Sequence, residues 1–438
     1  MRGIFDAAVQ ALEDRVRAGE VFTCYFTAED SDFVRLNHNR VRQAGHVRQI
    51  ELSVDLIEGQ RHAAASLSLS GDGPTDRARL EEELSLLRAQ LACLEDDPYL
   101  LYATEVHDTT ETREHTLPDS TAALSDIMDA ARGMDLVGIW ASGPLYTGFA
   151  NSLGQRNWYR AGSFNFDWSC YHGGDKAVKS TCAGSHWKPE ALAQSMGEVR
   201  EQLSVMARPP KTIPPGRYRV YLAPSALQEV LEMTAWGGFG LKSHRTAQTP
   251  LIKLARNERS LHPSVSILEN SAEGLAPRFT PQGFTQPERV VLIDEGHYRD
   301  CLVSPRSSKE YGDPVNAGAE VPQSLDMAAG LIPRSEVLQH LGTGLYVNNL
   351  WYANFSDQND CRITAMTRFA CFWVQDGEIR EPVNVMRLDE SVYRMLGEDL
   401  IGLTREREFI QDSGTYGGRS SGSVRLPGAL IEDFTLTL

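Results

Sequence analysis

Apolar residues recur at helical spacing over residues 3–18, where Ile4, Ala8, Leu12 and Val16 share one stripe, so the chain reads as opening on an amphipathic helix. The segments 21–29, 32–43, 48–58 and 61–70 are rich in β-formers that alternate with polar residues. That is the two-residue period of a half-buried strand. With Gly59 and Gln60 at a turn between the last two, the set reads as an antiparallel meander. Gly71-Asp72-Gly73-Pro74 ends it. Leu80, Leu84, Leu87, Leu91 and Leu94 then predict a helix over about 75–94. Two or three heptads are too few to argue a coiled coil, so the stripe is expected to pack on the sheet. Further helices are expected over 121–133, capped by Ser120 or Thr121, and over about 189–206, with short aromatic-rich strands across 136–182 between them.

Residues 208–216 interrupt this pattern with four prolines in nine residues. Proline lacks the helical donor and favours extended backbone, so the domain boundary is placed there. The expected organisation is an N-terminal domain over 1–207, a Pro-rich linker over 208–216 and a C-terminal domain over 217–438. The second part begins with a strand at 217–223 and a helix from about 225. Strands follow at 290–294, 298–303, 344–350, 362–375 and 429–437, with short helices near 306–311 and 390–400. The fold class is therefore α+β.

Composition narrows the partners. Of 438 residues, 43 are Lys or Arg and 59 are Asp or Glu, a net charge of −16. Such a chain repels nucleic-acid backbones and anionic membranes, so neither is expected as a partner. The arginines between Arg35 and Arg48 are spread along strand-like sequence and read as a solvated strand face. No apolar run has the length of a membrane span, and the first residues lack the apolar region and cleavage site of a signal peptide. Seven scattered cysteines do not form a disulfide framework. A cytoplasmic location is the expectation.

Common catalytic signatures are absent. There is no GxxxxGK[ST] and no HExxH. The glycines of Trp236-Gly237-Gly238-Phe239-Gly240 read as a helix C-terminal break. Cys170, His172, Cys182 and His186 lie within seventeen residues and are all zinc-binding types. Their spacing is not that of a usual finger, and ordinary packing in strands accounts for them as well.

The second half carries a resemblance. Gly344 to Asp360 and Arg362 to Ile379 resemble the C-terminal signature of the TldD/PmbA family. So do Val291 to Val303 with the following Ser308 to Gly312, and the closing stretch from Arg425 to Thr435. Phe33 to Gln43 is similar to an early strand pair of the same family. The resemblance implies an N-terminal α/β domain with an antiparallel sheet and packed helices. It implies a C-terminal domain that is β-rich and barrel-like. It also implies a role in proteolysis of peptides and unfolded segments, including maturation of peptide antibiotics and turnover of antitoxins. TldD-type subunits hold zinc through HExxxH on a helix and a cysteine near the C-terminus. PmbA/TldE-type subunits lack that site and pair with a TldD-type subunit.

Laid on HExxxH, the helix after Pro224 has Gln228 and Met233 in the histidine places and Glu229 in the glutamate place. Gly414-Thr415-Tyr416-Gly417 matches the family's GTCG with Tyr416 in the cysteine place. Zinc takes imidazole and thiolate. An amide, a thioether and a phenol do not replace them, and Glu229 is left with no metal-bound water to deprotonate. Glu229 is then expected to be an exposed or capping carboxylate. The expectation is a PmbA/TldE-like subunit with no catalytic residue, metal or cofactor of its own, working as a heterodimer with a zinc-bearing TldD-like partner. An extended peptide would add as a strand to a sheet edge, lined by Asn348, Asn349, Trp351, Tyr352 and Asp357. The alternative is a stand-alone peptide-binding or scaffold protein without a hydrolytic role.

Overall fold

The computed structural model describes residues 1–174 and 176–438. Its first half contains α1 (Arg2–Glu13), β1 (Glu20–Asn37), β2 (Arg40–Glu58), β3 (Arg61–Ser68), α2 (Gly73–Leu91) and β4 (Thr109–Arg113). Next come α3 (Ser120–Ala130), β5 (Asp135–Asn151), β6 (Arg156–Tyr171), β7 (Ala177–Gly184) and α4 (Pro189–Met206). The strands form one sheet in the order β3-β2-β1-β5-β6-β4, and β7 also pairs with β6. β4 runs parallel to Asn157–Ala161 of β6, and β7 runs antiparallel to Phe164–Tyr171 further along.

The expected strands 21–29 and 32–43 are not separate. β1 runs unbroken through the polar Asp30-Ser31-Asp32 and turns at His38-Asn39, both with positive φ, into β2. A cross-strand contact explains the continuity: His46 Nε2 lies 2.8 Å from Asp30 and its Nδ1 lies 2.9 Å from Asp32. Such opposite pairs stabilise a ladder where sequence pattern alone shows a polar break. The leucine stripe of α2 packs as expected, with Leu80, Leu84, Leu87 and Leu91 buried among Phe22, Phe26 and Leu52 of the sheet. Leu94 falls beyond the helix and is exposed.

The second half contains β8 (Gly216–Leu222), α5 (Pro224–Gly238), β9 (Ile267–Glu269), β10 (Val290–Asp294), β11 (His297–Tyr298) and β12 (Ser324–Met327). It ends with β13 (Gly344–Asp357), β14 (Arg362–Gln375), β15 (Glu378–Pro382), β16 (Arg387–Ser391), β17 (Leu400–Gln411) and β18 (Ser423–Leu436). All these strands belong to one mixed sheet, whose long path is β11-β10-β9-β12-β18-β16-β14-β13-β8. β18 pairs again with β8, so β8, β13, β14, β16 and β18 close a ring. The closure is thin at one point, where β16 meets β18 only at Leu388 and Leu436. A ring-like sheet thus stands where a barrel-like one was expected. The expected strand 298–303 reduces to His297–Tyr298 and a single bridge from Leu302 to Gly240.

The Pro-rich segment is extended but not loose. Lys211 pairs with the strand end at Val383, donating to Pro382 O at 2.7 Å and accepting from Asn384 N at 3.0 Å. Its ammonium lies 4.8 Å over the Trp373 ring. The two halves also share apolar packing, since Ala370 and Phe372 of β14 join Trp140, Phe166 and Trp168 of the first sheet in one cluster.

Candidate functional site

α5 follows β8 directly. Pro224 sits in its first turn, where the missing donor costs nothing, and Ala223 N donates to Val347 O at 3.0 Å, fixing the helix start against β13. Leu227, Val230, Leu231 and Thr234 are buried, and the other face of the helix turns Gln228, Glu229 and Glu232 into a cleft of about 450 Å³. The opposite wall is Asp167 of β6 with Lys179 and Thr181 of β7. Asn349 of β13, Gln411 at the end of β17 and the following Asp412 add to the polar lining. A second cavity of about 300 Å³ continues it, sharing Lys179, Ser180, Thr181 and Ser225. Together they form a groove between the two sheets.

Two strand edges flank this groove. β7 pairs with β6 alone, and among the described residues its other edge takes only the Asn348 Nδ2, which donates to Lys179 O at 2.9 Å. β17 pairs with β18, and beyond Arg405 its outer edge meets no further strand among the described residues. Unpaired edges of this kind template added strands.

Glu229 is half-buried, not the exposed or capping carboxylate expected from sequence. Burial pushes its carboxyl up to about 7, the nearby Glu232 adds to the rise, and Lys179 opposes it. Asp167 is raised by burial against the opposing Lys179. Glu232, on the rim, is raised chiefly by desolvation, and the Gln228 amide donates to it at 2.6 Å.

The zinc places can be tested on these contacts. The Gln228 amide is committed to Glu232. Met233 is buried on the core side of α5. Tyr416 is fully exposed on the segment joining β17 to β18, next to Gly417, whose carbonyl accepts from Gln49 of β2 at 2.8 Å. The three side chains neither converge nor supply imidazole or thiolate, so they do not fit zinc. Among the described residues no three His, Cys, Asp or Glu are grouped to hold a metal ion. Cys170 is opposite Val178 and Cys182 opposite Phe166, four rows apart on the sheet. His172 is exposed, and His186 bonds Ser185 Oγ at 2.8 Å.

Of the five residues expected to line a peptide site, the structure brings two to the groove. Asn349 lines the first cavity and Asn348 the second. Trp351, Tyr352 and Asp357 lie outside both, on a stretch of β13 that shifts register between Trp351 and Asn354 and again between Phe355 and Asp357. Trp351 is covered by the Arg368 guanidinium at 4.0 Å, Tyr352 points to solvent at positive φ, and Asp357 accepts from Asn359 N and Asp360 N in the hairpin turn. Sequence reasoning missed Asp167, Lys179 and Gln411. They come from three separate strands, and no local signal joins them.

Fold and groove define an α+β protein of two sheets with a polar groove between them, walled on one side by α5. Residues 215–438 match the model of the PmbA/TldA metallopeptidase C-terminal domain, and the chain belongs to that family. No curated protein sequence matches it. Among solved structures it is similar to TldE from Thermococcus kodakarensis, with a TM-score of 0.79, 13% identity and coverage of 98% of this chain and 100% of that one. It is also similar to a proposed modulator of a DNA gyrase from Thermotoga maritima MSB8, with a TM-score of 0.71, 14% identity and 99% of each chain covered. A proposed modulator of DNA gyrase from Bacteroides thetaiotaomicron VPI-5482 gives 0.72 at 13% identity, covering 100% of this chain and 98% of that one. At these identities the likeness is one of fold. No helix among the described residues is long and apolar enough to cross a membrane.

Proposed function

We propose that this chain is the metal-free, TldE-like subunit of a TldD/TldE-type peptidase, and that it holds an extended peptide while a zinc-bearing partner subunit hydrolyses it. The observation that carries the reading is the groove at α5. It keeps the free β7 edge, Asn348 and Asn349 where a peptide can lie, yet Gln228, Met233 and Tyr416 stand in the ligand places. A peptide strand laid on β7 would gain main-chain hydrogen bonds along Thr181 and Ala183. Hydrolysis needs an activated water, which the ligand set of this chain does not supply.

Two measurements test the proposal. Co-expression with a family member that carries HExxxH is expected to give a stable 1:1 complex whose cleavage of unfolded peptides is abolished by chelator; each subunit alone is expected to be inactive. A chain that stays single, or that cleaves alone, overturns the proposal, and the former result favours the stand-alone binding protein. Elemental analysis after dialysis without chelator is expected to find far less than about one zinc per chain.

A further inference from the structure

The lining of the cleft at α5 is unbalanced. It contains four carboxylates, Asp167, Glu229, Glu232 and Asp412, and one cation, Lys179. That cation is already engaged, with Nζ 3.5 Å from Asp167. Glu229 and Glu232 stand three residues apart on one helix face, where like charges repel. Among the described residues neither forms an ion pair, and the opposite charge acting on Glu229 is that of Lys179, which also serves Asp167. A protein interior compensates its charges unless something else arrives to do so.

Two buried amides give an independent indication. Gln411 is 2% exposed; its Nε2 donates to Ser420 O at 2.8 Å, and its Oε1 has no partner. Asn349 is 9% exposed; its Oδ1 accepts from Asn348 at 2.8 Å, and its Nδ2 donates to no group among the described residues. Both residues line the same cleft. A free acceptor shielded from water and a free donor are complementary to the N–H and C=O of a peptide group. Leu231, Leu325 and Ile410 supply apolar wall beside the carboxylates, which suits the methylene stem of a long cationic side chain.

We infer that the cleft receives a polypeptide segment carrying a positive charge, a basic side chain or a chain-terminal ammonium, seated between Glu229 and Glu232 with its main chain held by Asn349 and Gln411. The inference rests on the proposed peptide-holding role and adds to it a substrate class. A cation placed there satisfies both carboxylates at once and removes the like-charge repulsion along α5.

Calorimetric titration of the full-length protein with three peptides tests it: blocked Ac-Thr-Val-Lys-Val-Thr-amide, the same peptide with Gln in place of Lys, and that Gln peptide with a free amino terminus. At least one cationic peptide is expected to bind about tenfold or more tightly than the blocked neutral one, with the advantage shrinking as salt is added. The arm that gains shows whether side chain or terminus supplies the charge. The Glu229→Gln/Glu232→Gln variant is expected to lose the preference, binding the cationic and neutral peptides alike. Both changes are near-isosteric and delete repelling charges; if the variant nevertheless fails to fold, the wild-type comparison decides. Equal binding of all three peptides overturns the inference and leaves the peptide-holding role standing. No binding of any peptide overturns both. A preference that survives in the folded double variant places the cation elsewhere and overturns the assignment.

Discussion

The two stretches of the groove contain similar groups and use them in opposite ways. In the smaller cavity, Arg334 reaches Glu198 of α4 at 2.8 Å and Glu408 of β17 at 2.7 Å. Desolvation works against its charge, and the two carboxylates outweigh it, so the guanidinium is held well above its ordinary range. One cation thereby ties the first half to the second. In the larger cavity, Glu229 and Glu232 have no such partner, and burial holds Glu229 up to about 7. The difference separates two meanings of a charged groove. Charges paired within the chain are structure, and charges left over are available to a ligand.

The largest expected effect comes from a third charged group, which anchors the segment between β17 and β18 to the first sheet. Arg419, in the segment between β17 and β18, enters the first sheet, where it donates to Ser163 O at 2.9 Å, Ser163 Oγ at 2.8 Å, Gly143 O at 3.1 Å and Ser31 Oγ at 3.2 Å. Burial brings it down to about 10 against the opposing pull of Glu29. Arg419→Met is expected to lower unfolding free energy by about 2–4 kcal/mol in urea titrations, since it strands these acceptors and leaves Glu29 without a nearby cation. A loss within about 0.5 kcal/mol would show that the segment is not held by this contact.

Arg334→Gln is expected to cost about 1 kcal/mol, less than Arg419, because its side chain is 48% exposed and exposed pairs are screened. Accelerated proteolysis between the two halves would accompany it. A cost equal to that of Arg419→Met would mean that the latch is more deeply shielded than its exposure indicates.

Glu229→Gln sharpens the other side of the comparison. The folded-state value lies above the ordinary 4.5, so the unfolded chain releases its proton first. Wild-type stability therefore falls as pH rises between about 4.5 and 7 and stays reduced above that. Glutamine removes the penalty, so the variant is expected to gain up to about 1 kcal/mol at pH 8, after allowance for solvent screening, and little at pH 4. Denaturation midpoints at the two pH values check the sign. A loss at pH 8 would reveal a compensating cation that faces Glu229 besides Lys179.

Most of the element pattern was legible. Helices at 189–206 and around α5, and strands at 290–294 and 362–375, agree with hydrophobic period and turn residues. β17 was not read because Arg405-Glu406-Arg407-Glu408 resembles a solvated charge run, whereas the structure spends those charges on Arg334 and Asp326. β12 escaped because a four-residue strand paired parallel to β18 leaves no alternation to detect. The site was legible only in part. Resemblance located α5 and singled out Glu229, but burial is a tertiary property and Asp167, Lys179 and Gln411 meet α5 only when two sheets close on each other. Trp351 lies under Arg368 and Asp357 serves the hairpin turn. Tyr352 stands at a shift of register in β13, between Trp351 and Asn354, and no sequence rule announces such a bulge.

That register shift carries the smallest predicted effect. Tyr352 is 73% exposed and held at φ 52°, a backbone region that costs a bulky residue about 1 kcal/mol and a glycine almost nothing. Tyr352→Gly is therefore expected to leave stability unchanged or raise it by less than about 1 kcal/mol, since lost strain and added unfolded-state entropy oppose each other. Peptide titration of this variant is expected to match wild type, because the side chain reaches neither cavity. Asn349→Ala, in the same strand but before the shift, is expected to weaken the blocked neutral peptide several-fold by removing the free donor. If Tyr352→Gly were the variant that lost binding and Asn349→Ala the one that kept it, the peptide would run past the bulge over the outer face of β13, and the groove between the two sheets would not be where this chain holds it.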